Sequence, residues 1–255
     1  MKKIFSAAIA LAAMAAPAAA ADMAARPYTK APMMVAAMYD WSGFYIGING
    51  GGAWTHKCWD LNNLGGRIIN PAIAEGCHDS TGGVVGGQFG YRWQSAAWVF
   101  GLEAQGDFAS LSGSSLSNPL ALGAGATNRS KVDAIYLLTG QVGYAVNNVL
   151  FYVKGGAMGV NDKFEGFTTA TGVVFDSARQ TRWGGAIGAG LDYGITPNIV
   201  LGVDYMHGFM GCKDVNLYAV PGGGFSRTDR ICQDVDMVTA RLSYKFGGSA
   251  IVAKY

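Results

Sequence analysis

Four cysteines are the side chains of this sequence best suited to covalent or metal chemistry, and they form two close pairs, Cys58 with Cys77 and Cys212 with Cys232. In an oxidising compartment an even count placed this way reads as two disulfides. Three connectivities are possible, and pairing within each connector requires no contact between distant segments. Each closed connector would remove about 3 kcal/mol of unfolded-state entropy. A second chemistry competes at the first pair. His56, Cys58, Cys77 and His78 carry the two-His, two-Cys set of a tetrahedral zinc site, but their spacings are not those of a zinc finger. Disulfide formation after export consumes the thiolates that zinc needs, so no metal is expected. His207 reads as a surface or lumen residue.

A charged set is the second source of chemistry. Arg92, Arg241 and Lys245 fall on the same face of their segments as Glu103, Asp107, Asp133, Asp192 and Asp204, and Lys154 joins them on a glycine-rich segment whose facing is open. Brought together inside a narrow barrel, these groups should pair and plug it. The same residues could also line a narrow ion path or supply a carboxylate pair for hydrolysis. No serine, histidine and carboxylate grouping lies on adjacent segments, so no catalytic residue and no enzyme activity is expected. Gly50-Gly51-Gly52 and Gly82-Gly83 lack the following helix and Lys-Ser/Thr pair of a phosphate loop, and no cofactor is expected. Asn128-Arg129-Ser130 matches a glycosylation sequon, which carries little weight in a bacterial export context.

The elements that must position these residues are eight segments of apolar alternation between Trp41 and Phe246. In Trp98 to Phe108, for example, Trp98, Phe100, Leu102, Ala104, Gly106 and Phe108 share one face, and Gly101, Glu103, Gln105 and Asp107 share the other. The other segments begin near Trp41, Gly82, Ser130, Val149, Thr181, Ile199 and Val235. The fourth sets Val132, Ala134 and Tyr136 against Asp133. One face suits lipid and the other water or buried polar partners. An open sheet would leave unpaired edge groups in hydrocarbon, so the expected fold is all-β, an eight-stranded antiparallel transmembrane up-and-down β-barrel. Long connectors are expected at Cys58 to Thr81, Gly113 to Arg129, Phe164 to Gln180 and Cys212 to Asp234. They alternate with short turns, which places the long ones outside the cell and both termini in the periplasm. A soluble barrel would reverse the faces, with apolar side chains inside and charges outside.

Composition agrees. Only 14% of the 255 residues are Asp, Glu, Lys or Arg, against about 25% in ordinary soluble domains. The net charge of +2 provides no field for nucleic acid. Lys2 and Lys3, an Ala-rich stretch, Pro17 and Ala19-Ala20-Ala21 read as a signal peptide over residues 1–21. A membrane anchor is disfavoured by the weak apolarity of alanine and by Pro17. Residues 22–40 are expected to be a flexible periplasmic leader, 41–246 the barrel and 247–255 a C-terminal tail. The charge-free stretch Ile135 to Val153 contains the turn pair Asn147-Asn148 and reads as a hairpin rather than a spanning helix.

Tyr39-Asp40-Trp41-Ser42-Gly43-Phe44-Tyr45-Ile46-Gly47, Gly82-Gly83-Val84-Val85-Gly86-Gly87-Gln88-Phe89-Gly90-Tyr91 and the ending Tyr244-Lys245-Phe246-Gly247-Gly248 resemble the porin-like outer-membrane β-barrel family of alphaproteobacterial surface antigens. That family is similar in architecture to the OmpA membrane barrel. The resemblance implies an abundant envelope protein that stabilises the outer membrane and presents loops to its surroundings, and it offers no catalytic residues. Many outer-membrane barrels end on an aromatic residue, whereas here Gly247 to Lys254 separate Phe246 from the terminal Tyr255.

The expected role is therefore structural, in the bacterial outer membrane, with disulfide-closed loops available for interaction. The expected partners are outer-membrane lipids and an extracellular or host surface partner reached through the long loops, with no nucleic acid. The alternative is a porin-like, low-conductance channel for small hydrophilic solutes.

Overall fold

The computed structural model describes residues 39–247. The signal peptide, residues 22–38 of the leader and residues 248–255 of the tail lie outside the described residues. Eight strands follow one another in chain order: β1 Gly43–Leu64, β2 Arg67–Ser95, β3 Trp98–Leu116, β4 Ala126–Val146, β5 Val149–Thr168, β6 Val174–Gly194, β7 Ile199–Ala219 and β8 Phe225–Lys245. Each pairs antiparallel with its neighbours, and β8 returns to β1 to close the barrel. One four-residue helix, α1 Pro119–Leu122, lies between β3 and β4.

The register fixes the geometry of the cylinder. Stepping across paired residues from Trp98 through Tyr144, Phe151, Leu191, Val203, Ala240, Gly50 and Val85 returns to β3 at Phe108, ten residues further along (108 − 98 = 10). Eight strands with this stagger, about 4.8 Å apart and rising about 3.3 Å per residue, tilt by about 40° and enclose a wall of about 8 Å radius. Each residue then climbs about 2.5 Å along the axis.

Two aromatic belts bound an apolar outer band. At the short-turn rim, Phe44, Tyr91, Trp93, Trp98, Tyr144, Tyr193, Tyr244 and Phe246 face outward and are exposed; Trp54, Phe108, Tyr136, Trp183 and Phe209 form the second belt. Trp98 and Phe108 stand ten residues apart on β3, which places the belts about 25 Å apart, the height of an outer-membrane apolar band. Between them Ile46, Ile48, Phe89, Leu102, Leu138, Val153, Ile187, Leu201 and Leu242 are exposed.

The strands do not stop at the second belt. With 19 to 29 residues each, they continue as a wall for roughly another 25 Å. The connectors expected at Cys58 to Thr81, Gly113 to Arg129, Phe164 to Gln180 and Cys212 to Asp234 are therefore mostly paired strand, and the chain turns only at residues 65–66, 117–125, 169–173 and 220–224. Above the lipid both faces carry polar residues, which removes the contrast that marks a strand in sequence. At the opposite rim the turns are short, and Ala96 and Asn147 take the positive φ values of 54° and 55° that tight hairpins require. Ile135 to Val153 forms the β4–β5 hairpin, as expected. β5 turns its even-numbered residues inward, Tyr152, Lys154, Met158, Val160, Asp162 and Phe164 all being buried.

Candidate functional site: a layered lumen and an outer wall

The lumen is filled in layers. At the short-turn end Trp41 is fully buried with Val99, Ala145, Leu150, Tyr152 and Val200. Its backbone N–H donates to the Gln94 side chain at 2.7 Å. Tyr39, at the end of the expected leader, packs against the Trp41 ring at 4.6 Å, and its hydroxyl donates to the Thr196 carbonyl at 2.9 Å.

A charge network comes next. Arg92 Nη2 meets Asp192 Oδ2 at 2.6 Å. Lys154 Nζ lies 3.2 Å from Glu103 Oε1 and also contacts Asp204. Arg241 Nη1 stands 3.0 Å from Asp204 Oδ2, and Arg241 Nη2 bonds Glu103. The Tyr45 hydroxyl donates to Glu103 at 2.7 Å, and Thr239 donates to Asp204. All six charged groups are buried. In this low-dielectric interior each charge persists because an opposite one is within reach.

Three of the nine expected lumen residues stand apart from that network. Asp107 is inside but accepts from Gln105 Nε2 at 2.8 Å rather than from a cation. Lys245 reaches the Asp40 carbonyl and lies 4.9 Å from the centre of the Tyr39 ring. Asp133 is outside, pairing with Arg179 at 3.1 Å. A register shift between Val132 and Ala134 adds one residue and exchanges the two faces. Val132, expected on the lipid face, is accordingly buried in the interior.

Above the network lies an apolar layer that the sequence alone did not reveal. Met158, Met206, Met210 and Met237 pack with Val84, Leu111, Val132, Ile135, Leu137, Val160 and Val235 across the bore. Methionine conforms to irregular gaps, which suits it to sealing a cylinder of fixed radius. A second set of buried ions follows: Lys57 Nζ meets Asp162 Oδ1 at 2.7 Å with both side chains 0% exposed. Trp59, Phe164, Val215, Leu217 and Ile231 form a further apolar layer.

At the outer mouth Arg227 faces three carboxylates, with Glu75 at 2.8 Å, Asp176 at 2.9 Å and Asp229 at 3.2 Å. The apolar pairs Trp59-x-Leu61 and Val215-x-Leu217 were the available sign that alternation continues through these stretches. Burial pushes the Asp229 carboxyl up to about 8 against the opposing pull of Arg227. The folded chain thus holds a proton there that an unfolded aspartate, titrating near 4, has released. Stability should therefore fall as pH rises from about 4 to about 8. Asp229→Asn should flatten that slope in urea unfolding, gaining on the parent at pH 8 and not at pH 4; an unchanged slope would contradict it.

The outer wall carries the cysteines. Cys77, Cys58, Cys232 and Cys212 occupy one row across β2, β1, β8 and β7. Disulfides join Cys58 to Cys77 and Cys212 to Cys232. Each lies between facing residues of one hairpin, with Cα atoms 4.1 and 3.9 Å apart, the close spacing of a non-hydrogen-bonded pair. In an antiparallel sheet a residue close to one neighbour in this way stands wide of the other, by about 5.5 Å, so Cys58 does not select Cys232.

The four-ligand zinc set is divided by the wall. His56, Cys58 and Cys77 converge outside, with ligand atoms within 4.8 Å. His78 points inward, bonding Ser115 Oγ at 3.1 Å and Ser130 Oγ at 2.9 Å. Burial first and the Lys57 ammonium second pull the His78 pKa down to about 4, so it is neutral at physiological pH. His207 lies on the outer face, its Nδ1 2.7 Å from Asp236.

Comparison with known proteins agrees with this architecture. Over 186 residues the chain is 28% identical to a 31 kDa outer-membrane immunogenic protein of Brucella melitensis, covering 69% of this chain and 74% of that one. The protein of the same description from Brucella suis matches to the same extent. Among solved structures, the outer membrane protein OprG of Pseudomonas aeruginosa superposes with a TM-score of 0.51 at 18% identity, covering 82% of this chain and 98% of that one. The outer membrane protein β-barrel domain matches residues 6–246, and the chain belongs to that family and resides in the outer membrane.

Proposed function

We propose that this protein is a structural, non-conducting and non-catalytic barrel that contributes to envelope integrity and holds an interaction surface above the membrane. The observation that carries the reading is the methionine-rich apolar layer crossing the bore between two buried ion clusters. An ion passing this layer would have to shed its hydration with no polar group to replace it. Among the described residues, the carboxylates of the lower lumen are engaged by cations or by an amide, which supports the non-catalytic reading. The wall beyond the second belt supports a role in contact with the surroundings, consistent with the Brucella relatives being described as outer-membrane immunogenic proteins.

Recording from the pure refolded protein in planar bilayers should give no steady conductance, and cells lacking it should become detergent-sensitive until it is restored. Steady channels abolished by changing Arg92 or Glu103 would instead establish the low-conductance pore for small hydrophilic solutes.

A further inference from the structure

On the outer wall Lys131 of β4 faces Lys163 of β5, and Lys163 faces Arg179 of β6, so three cations stand directly opposite one another in one row. Like charges in facing positions of a sheet repel. Arg129, two residues beyond Lys131, adds a fourth cation. Two acids answer them: Asp133 meets Arg179 at 3.1 Å, and Glu165 meets both Lys163 and Arg129 at 2.6 Å. Among the described residues Lys131 has no ion-pair partner. The patch keeps a net charge of +2, from Arg129, Lys131, Lys163 and Arg179 against Asp133 and Glu165.

Its height identifies the anion. Arg179 lies four residues above Trp183 of the second aromatic belt, and Lys163 lies four above Gly159, which pairs with Trp183. At about 2.5 Å per residue the row stands about 10 Å above the edge of the apolar band, from where long lysine and arginine side chains reach down to the headgroup layer. It also faces sideways, along the membrane plane, rather than up into the medium.

We propose that this row binds the phosphate groups of a phosphorylated glycolipid in the outer leaflet. The lipid phosphates lie between the cations and relieve their mutual repulsion, while the acyl chains follow the apolar wall beneath. A second copy of the chain is the weaker candidate. Two of the acids on the opposite wall already have neighbours, Asp79 with His56 at 2.6 Å and Asp236 with His207 at 2.7 Å.

The test uses the mature protein refolded in detergent and titrated with lipid A in mixed micelles, bound lipid being counted by native mass spectrometry. A juxtamembrane cation is worth about five-fold in affinity, so Lys131→Gln/Lys163→Gln should weaken binding about 25-fold. Arg67→Gln, at the far end of the wall, should change nothing, and raised salt should weaken the wild type. The shift of the unheated band on a detergent gel reports that each variant is folded. Equal binding of dephosphorylated lipid A, or no loss in the double variant, would overturn the proposal. Competition by inorganic phosphate at equal concentration would mark a free-anion site. An oligomer that becomes monomeric in the double variant with lipid binding intact would mark a protein contact.

Discussion

Replacing Glu103 by alanine should destabilise the barrel by about 3–5 kcal/mol, because it strands two buried cations. Lys154 and Arg241 both rely on this carboxylate and share only Asp204 besides. The cost comes from uncompensated charge, so it should shrink when charge is removed in balance. Glu103→Met/Lys154→Met leaves the Arg241–Asp204 pair at 3.0 Å intact and should recover at least half of the loss. Urea midpoints in micelles, followed by gel mobility, decide this. A double variant as unstable as Glu103→Ala would show that shape, rather than neutrality, holds this layer together.

Arg227→Met should produce a loss of similar size, about 3–5 kcal/mol near pH 8, with the opposite charge left over. Glu75, Asp176 and Asp229 would then share a fully buried site without their cation. Carboxylates can be neutralised by acid whereas stranded guanidinium and ammonium groups cannot. The Arg227→Met defect should therefore recede as pH falls toward 5, and the Glu103→Ala defect should not. Unfolding both variants at pH 5 and pH 8 checks the contrast, and parallel behaviour would refute the assignment of the two clusters.

The part of the fold legible in sequence is the part that touches lipid. Between the belts, hydrocarbon demands apolar side chains and the lumen tolerates glycine, glutamine and charge, so alternation such as Leu102–Glu103 or Leu242–Arg241 marks both strand and facing. Beyond the belt, water replaces lipid. His56, Cys58 and Asp60 face outward there while Lys57 and Trp59 face inward, and the hydropathy contrast shrinks to short pairs such as Trp59-x-Leu61 and Val215-x-Leu217. Glu75 and Arg227 fall within connectors expected from the sequence, and Lys57 just before one, so nothing there marked them as buried, although all three are enclosed. Asp133 was misplaced for another reason: a single inserted residue reverses parity without leaving a compositional trace. The paired cations and acids of the lower lumen were foreseen as a group, but their partners depend on stagger around the ring, which only the closed register supplies. The methionines escaped notice because they are scattered over β5, β7 and β8, where each reads as one more apolar letter.

The cysteine row has a bearing on how the cylinder comes to be shut. Both covalent rivets sit on the hairpins that flank the junction of first and last strands, and neither crosses it. A chain oxidised before insertion would still have two free edges to bring together. A bond from Cys58 to Cys232 would instead have welded the tube before it reached its membrane. Local pairing thus hardens the rim while the final act of zipping stays with main-chain hydrogen bonds alone.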